Sequence, residues 1–379
     1  MLQKRAKVLS ICVILVTLCL SCTLIFTSRL PTPITETTLA PTNSTLGFGT
    51  ILAVSRPSSP RRASLLWAAN LTAIDIVIPE QPAWTEEDVQ RFRATEHSTI
   101  SRGSAFAWLG HLHVLKWFLN TSHSTALIIE DDTDFSLHIR QTQIPRLTRA
   151  LNQLLTNYTT NSTNDYWPPP STWSLIYPGH CDDLPSPSTY FSQPHTLYHD
   201  PSVPAHHVLH PDTQNFLASL DMNFAHAHFA ERIVRELGRE KEGGTSAFDV
   251  ALLEACRSGL DRPGRHRDGE EWKCWSVAPE VFHRAIGGSE IQRADSERSD
   301  DGGGDGDEEV HRTEVPERGT WNLHCVARDP GLWVEEDGPR EQIKNMVRDM
   351  VERGECPLSS TEGEKNWRGC EWGECGAQS

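Results

Sequence analysis

The chain has 379 residues, with 51 Asp and Glu against 35 Lys and Arg for a net charge of −16, and is 37% hydrophobic and 8% aromatic. This hydrophobic content excludes disorder over most of the chain, and the length allows one large domain or two ordinary ones. A surface this acidic repels a polyphosphate backbone and no concentrated basic patch offsets it, so no nucleic-acid partner is expected. The charge is uneven: Ser289 to Arg318 carries eleven acids against four bases. That stretch, 289–318, reads as a solvated, disordered insertion.

Val8 to Phe26 is a run of nineteen uncharged residues behind Lys4, Arg5 and Lys7. A helix of that length rises about 1.5 Å per residue and just crosses a bilayer core of about 30 Å. The basic flank predicts a cytoplasmic tail over 1–7, a transmembrane signal anchor over 8–27 and a luminal or external remainder. A cleaved signal peptide ending near Leu20-Ser-Cys22 is the alternative. The run exceeds the roughly 7–15 apolar residues of such a peptide, and Arg29-Leu-Pro gives no clear cleavage pattern, which favours the anchor.

Five Asn-x-Ser/Thr sequons follow the anchor and none precedes it: Asn43, Asn70, Asn120, Asn157 and Asn161. Together they predict glycosylation during passage through the endoplasmic reticulum. Residues 28–48, rich in Pro and Thr, read as a stem. Seven of the ten cysteines lie beyond the anchor, an odd number that leaves one outside any intrachain pairing. Cys256 with Cys274, bracketing a Gly/Arg/Asp-rich loop, is the first candidate for a disulfide.

From about residue 49 strand-like and helix-like segments alternate. Ile51 to Ser55 and Ile74 to Ile78 read as strands, with a helix over Arg61 to Asn70 between them. Thr85-Glu-Glu-Asp88 has capping-box spacing at a helix start. Ala105, Trp108, Leu109, Leu112, Leu115 and Leu119 repeat at helical spacing and predict a helix facing a core. Ala126-Leu-Ile-Ile129 then reads as a strand buried on both faces, followed directly by Glu130-Asp-Asp132. The alternation predicts an α/β fold with a mostly parallel, helix-covered sheet.

In open α/β sheets, ligands bind beyond the carboxyl ends of the strands, where this strand delivers three consecutive acids. Glu130 and Asp132 repel one another unless a cation or a proton intervenes. A hard divalent ion, Mg²⁺ or Mn²⁺, takes one or two such carboxylates and completes its shell with water and substrate phosphates. The alternative is a solvated turn capping the next helix.

Ser101-Arg-Gly-Ser-Ala-Phe-Ala-Trp-Leu-Gly-His111, Ala126-Leu-Ile-Ile-Glu-Asp-Asp-Thr-Asp-Phe135 and Trp173-Ser-Leu-Ile-Tyr-Pro-Gly-His-Cys181 together resemble glycosyltransferase family 25, particularly its fungal membrane-anchored members. Weaker similarity extends to Ser55-Arg-Pro with Arg61-Arg62, to Phe248-Asp-Val-Ala-Leu-Leu253 with Cys256, and to Trp321-Asn-Leu-His-Cys-Val-Ala-Arg328. The resemblance covers about residues 51 to 328.

The resemblance implies a GT-A-like, Rossmann-type fold. The implied activity is an inverting, metal-dependent transfer of a hexose, galactose at the family level, from a UDP-sugar to a glycan or glycoprotein acceptor. Glu130 and Asp132 would hold Mn²⁺ or Mg²⁺, and Asp131 would meet the donor ribose or sugar. Arg61 and Arg62 would contact the donor diphosphate or base, or else are surface arginines beginning a helix. Gly103, His111 and His180 match donor-site positions, with a core histidine as the alternative role of His111. Asp249 would be the general base, or a first-turn carboxylate complementing its helix dipole.

The luminal domain thus spans 49–330 and a cysteine-containing extension spans 331–379. The expected location is the Golgi or endoplasmic reticulum membrane, single-pass and type II. A catalytically inactive luminal binding protein on the same fold is the second reading. A zinc hydrolase using His206, His207, His210, His226 and His228 is disfavoured, because their spacing does not match an H-E-x-x-H helix.

Overall fold

The computed structural model describes residues 39–156, 166–179, 194–202, 215–219, 227–244, 247–261, 273–278, 280–285, 325–335 and 338–358. The expected anchor, the acidic insertion, His180, His206, His207, His210, His226, Asn157, Asn161, Cys181, Cys370 and Cys375 lie outside them. Among the described residues no helix is long and apolar enough to cross a membrane.

In chain order the first half contains strand β1 (Thr50–Val54), helix α1 (Arg62–Thr72), β2 (Ile76–Val77), α2 (Glu86–Phe92), α3 (Arg102–Leu119), β3 (Ala126–Glu130), β4 (Thr133–Phe135) and α4 (Ile144–Thr156). A single π-helical turn, Ile139–Gln143, leads into α4. The second half contains β5 (Leu175–Tyr177), β6 (His195–Tyr198), β7 (Asn215–Ser219), α5 (Ala227–Glu236), α6 (Phe248–Asp261), β8 (Cys274–Ala278), β9 (Phe282–Arg284) and α7 (Arg340–Glu352).

The first sheet has strand order β2-β1-β3, and both pairings are parallel. Side chains alternate across a strand, so β1 and β3 each feed two cores. Ile51, Ala53, Leu127 and Ile129 join Leu65, Ala68 and Leu71 of α1 on one face. Leu52, Val54, Ala126 and Ile128 join Trp108, Leu112 and Leu115 of α3 on the other. Coverage on both faces is why these strands read as continuous apolar runs. α2 begins where the sequence predicts, with Thr85 and Asp88 forming the reciprocal capping box.

One mostly parallel sheet is not what the rest of the chain builds. A second sheet runs β5-β8-β7-β6, with β5 parallel to β8 but β7 antiparallel to both its neighbours. β4 and β9 form a separate antiparallel ribbon. The architecture is therefore mixed α/β, in which the helix-linked parallel pattern belongs to the first three strands.

Two expected boundaries move. Residues read as stem pack into the body: Leu46 and Phe48 are buried, and Arg140 donates to the Thr42 carbonyl at 3.0 and 2.9 Å. Residues 331–358, expected beyond the domain, share its core. Val347, Val351 and Cys356 belong to the cluster of β1 and α1. Trp67 Nε1 donates to the Leu332 carbonyl at 2.7 Å, and Arg340 lies over the rings of Trp67 and Trp333.

The expected Cys256–Cys274 disulfide is not formed. Both cysteines are buried thiols in the apolar cluster around α3, one on α6 and the other opening β8. Among the described residues a disulfide joins Cys325 to Cys356 and so ties the strip before Arg328 to the turn that follows α7. The sequons at Asn43, Asn70 and Asn120 are all exposed.

Candidate functional site

With order β2-β1-β3, the chain moves one way from β1 to β2 under α1, then crosses back under α3 to β3. The strand order reverses between β1 and β3, and at such a reversal the carboxyl ends of the strands open a crevice for ligands. Here the register pairs Val54 with Glu130, and the Asp131 N–H donates to the Val54 carbonyl at 3.2 Å. The acidic triplet and the loop from Ser55 to Arg61 therefore lie side by side.

Each acid has a different partner. Glu130 receives His111 from the middle of α3, with Nε2 2.8 Å from Oε1. The His111 ring stacks on Phe248, centroids 4.3 Å apart and planes 14° apart, and Phe248 meets Trp108 edge-on. Asp131 turns inward, is 6% exposed, and accepts from Ser55 Oγ at 2.6 Å. Asp132 faces two guanidinium groups, Arg61 Nη1 at 3.5 Å and Arg284 Nε at 3.2 Å. Arg61 Nη1 also stands 3.7 Å from Asp131.

The loop itself is held by Arg328. Its Nη1 donates to the carbonyls of Asp131 and Thr133 at 2.8 and 2.9 Å, and its Nη2 donates to Ser64 Oγ at 2.7 Å. One side chain thus bolts the acidic turn to the first turn of α1. Asp134 accepts from the backbone N–H of Phe135 and of Arg328. Burial pushes its carboxyl up to about 6 despite those donors and the nearby Arg328 charge.

Burial and charge split the pair that reaches the crevice. Desolvation raises the Glu130 carboxyl, but the hydrogen bond and charge of His111, with Arg284 and Arg61, bring it below the ordinary carboxylate range. Asp132 is raised, first by burial and then by the negative charge of Glu130, against the pull of Arg61 and Arg284. Although protein surrounds Glu130 closely enough to desolvate it, its side chain keeps 52% of its surface open. That combination is expected of a residue on the floor of a cleft.

Two carboxylates at alternate positions, one raised first by burial and then by the charge of the other, are a pair whose repulsion a hard divalent cation would relieve. No set of three His, Cys, Asp or Glu that could hold a metal occurs among the described residues. Two carboxylates are fewer protein ligands than a closed zinc cage takes, and a magnesium- or manganese-type ion there would draw the rest of its shell from water and ligand oxygens.

The remaining expected residues are placed as follows. Arg62 begins α1 beside Arg61. Gly103 is buried in the first turn of α3, eight positions before His111 and so about 12 Å from it along the axis. It is not gathered with the acids. Asp249 is exposed in the first turn of α6, next to the Phe248 that stacks on His111, and its carbonyl accepts from Tyr177 Oη at 3.3 Å. Sequence reasoning missed Ser55 and Arg328 as site residues, although both stand in segments that carry the family resemblance. It missed Arg284 outright, since a lone arginine on a three-residue strand gives no signal.

Comparison with protein-family models, with curated proteins and with solved structures finds no match.

Proposed function

We propose that this chain is a GT-A-like glycosyltransferase that moves a hexose, galactose in our reading, from a UDP-sugar to a glycan or glycoprotein acceptor. The reaction would invert the sugar, and the N-terminal anchor would hold the body in the lumen of the endoplasmic reticulum or Golgi. The observation that carries this reading is the acidic triplet at the carboxyl end of β3, beside the strand-order reversal and facing Arg61 from the opposite loop. The resemblance of the same triplet and its flanking segments to glycosyltransferase family 25 supplies the substrate class.

In this reading Glu130 and Asp132 would hold the divalent ion, which when bound would supply Lewis-acid stabilisation of charge on the departing diphosphate. His111 fixes the Glu130 carboxylate through Nε2 and is itself fixed by Phe248. Asp131 and Ser55 hold the β1–α1 loop so that Arg61 reaches the crevice. Asp249 takes the proton from the acceptor hydroxyl, and its exposure suits a group that must meet an incoming acceptor.

The test is UDP release by the full-length chain across a panel of UDP-sugars, with Mn²⁺ or with chelator, for wild type and Asp132→Ala. We expect metal-dependent turnover of one donor, reduced roughly a hundredfold or more in the variant. Donor binding without turnover would leave the acceptor still to be found. A folded protein that neither binds nor turns over any UDP-sugar would sink the enzyme reading in favour of the inactive binding protein.

A further inference from the structure

We propose that Arg284 is a catalytic residue that, with Arg61, clamps the diphosphate of the donor as it departs. The inference rests on the reading of the crevice as a nucleotide-sugar site and adds to it a residue that lies more than two hundred positions from Arg61 in the chain.

Two guanidinium groups converge on a single oxygen, Asp132 Oδ2, one from the β1–α1 loop and one from β9. Arg284 is pinned there by the ribbon. Its strand pairs antiparallel with β4, with Arg284 opposite Thr133, and the Ala285 N–H donates to the Asp132 carbonyl at 2.6 Å. Arg284 cannot drift from the acidic turn without breaking that ladder.

The contact with Asp132 does not satisfy Arg284. Its Nε lies 3.2 Å from the carboxylate, yet this buried N–H has no aligned hydrogen-bond acceptor. The attraction is one of charge, and the guanidinium keeps its positive charge for the crevice. The side chain is 29% exposed, so the group reaches the crevice. Two guanidinium forks facing one cleft match the oxygens of a diphosphate, which Arg binds in bidentate fashion.

The chemistry places that charge where it is needed. In the transfer, the acceptor oxygen forms a bond to the anomeric carbon and gives its proton to the base. The bond from that carbon to the terminal phosphate oxygen breaks, and its electron pair leaves with the diphosphate. Negative charge therefore grows on the terminal phosphate, and fixed cations aimed there stabilise the transition state more than the ground state.

The experiment is calorimetric titration of the full-length chain with UDP and with inorganic pyrophosphate, each with Mn²⁺, for wild type, Arg284→Gln and Arg284→Lys, with thermal melts of all three. We expect Arg284→Gln to weaken both ligands by roughly ten- to a hundredfold, and Arg284→Lys to lose part of that affinity because it keeps the charge without the fork. Equal affinity in a folded Arg284→Gln would overturn the clamp while leaving the transferase reading intact. Pyrophosphate binding that depends on Arg284, without UDP binding, would uphold the clamp and defeat the nucleotide-sugar reading. Binding of neither ligand by wild type would defeat both. Should Arg284→Gln not fold, Arg284→Lys decides: a loss of threefold or more in pyrophosphate affinity supports the clamp, and unchanged affinity overturns it.

Discussion

Asp132 and Glu130 stand two residues apart at one strand end, yet their surroundings drive them in opposite directions. Glu130 gains a histidine and stays ionised, whereas Asp132 is raised by burial and by Glu130 itself. Away from the crevice, Asp200 shows what burial does without such help. It is 2% exposed, one carboxylate oxygen has no hydrogen-bond partner, and burial raises it despite donors from Ser202 and the nearby Arg146 charge. A raised folded value means the protonated form is favoured by folding. That stability is fully present below the unfolded carboxylate value and is lost as pH rises through the higher folded value. Asp200→Asn keeps an acceptor for Ser202 and removes the charge. Its stability relative to wild type should be near zero at pH 4 and should grow through neutral pH in denaturant titrations. A pH-independent difference would show that Asp200 does not titrate in this way.

At the scale of elements, the site depends on how closely α3 approaches β1. Gly110 provides the approach: a Cβ there would meet Val54 Cγ1 at 3.2 Å, and the next residue is the His111 that reaches Glu130. Gly110→Leu should overpack this contact, cost about 1–3 kcal/mol and lower the melting temperature. It should also reduce any metal-dependent activity, because His111 moves with its helix. The start of α2 is a separate case. Thr85 accepts from the Asp88 N–H while Asp88 accepts from the Thr85 N–H, so Thr85→Ala should cost about 1 kcal/mol in chemical denaturation without touching the crevice. The capping box was legible because its partners lie three residues apart. The demand for glycine at 110 was not, because Val54 belongs to a strand that only folding brings near.

For the molecule as a whole, the closing segment decides the stability of the site. Cys325–Cys356 closes a loop of 31 residues, and chain entropy puts its contribution at about 3–4 kcal/mol. The strip it holds bridges through Val326 to Ser136, the residue after β4, and then presents Arg328 to the acidic turn. Replacing both cysteines by Ser should lower the melting temperature under oxidising conditions, and adding reductant to wild type should reproduce the shift. Equal melts of the variant and wild type would show that the bridge does not form.

The sequence by itself determined the first half of the fold and the acids of the crevice. β1, α1, α3 and β3 carry apolar periodicity that local chemistry enforces, and Glu130, Asp131 and Asp132 are contiguous at the end of a strand that is visibly buried. Tertiary structure alone decided what neutralises those acids. His111, Arg61, Arg284 and Arg328 come from four separate places, and the strand carrying Arg284 is three residues long, too short for any period to reveal it. It also decided that Cys325 pairs with Cys356 and that the segment around Val347 and Val351 joins the core. Those outcomes depend on which surfaces meet after collapse, a property of long-range packing that no window of the sequence contains.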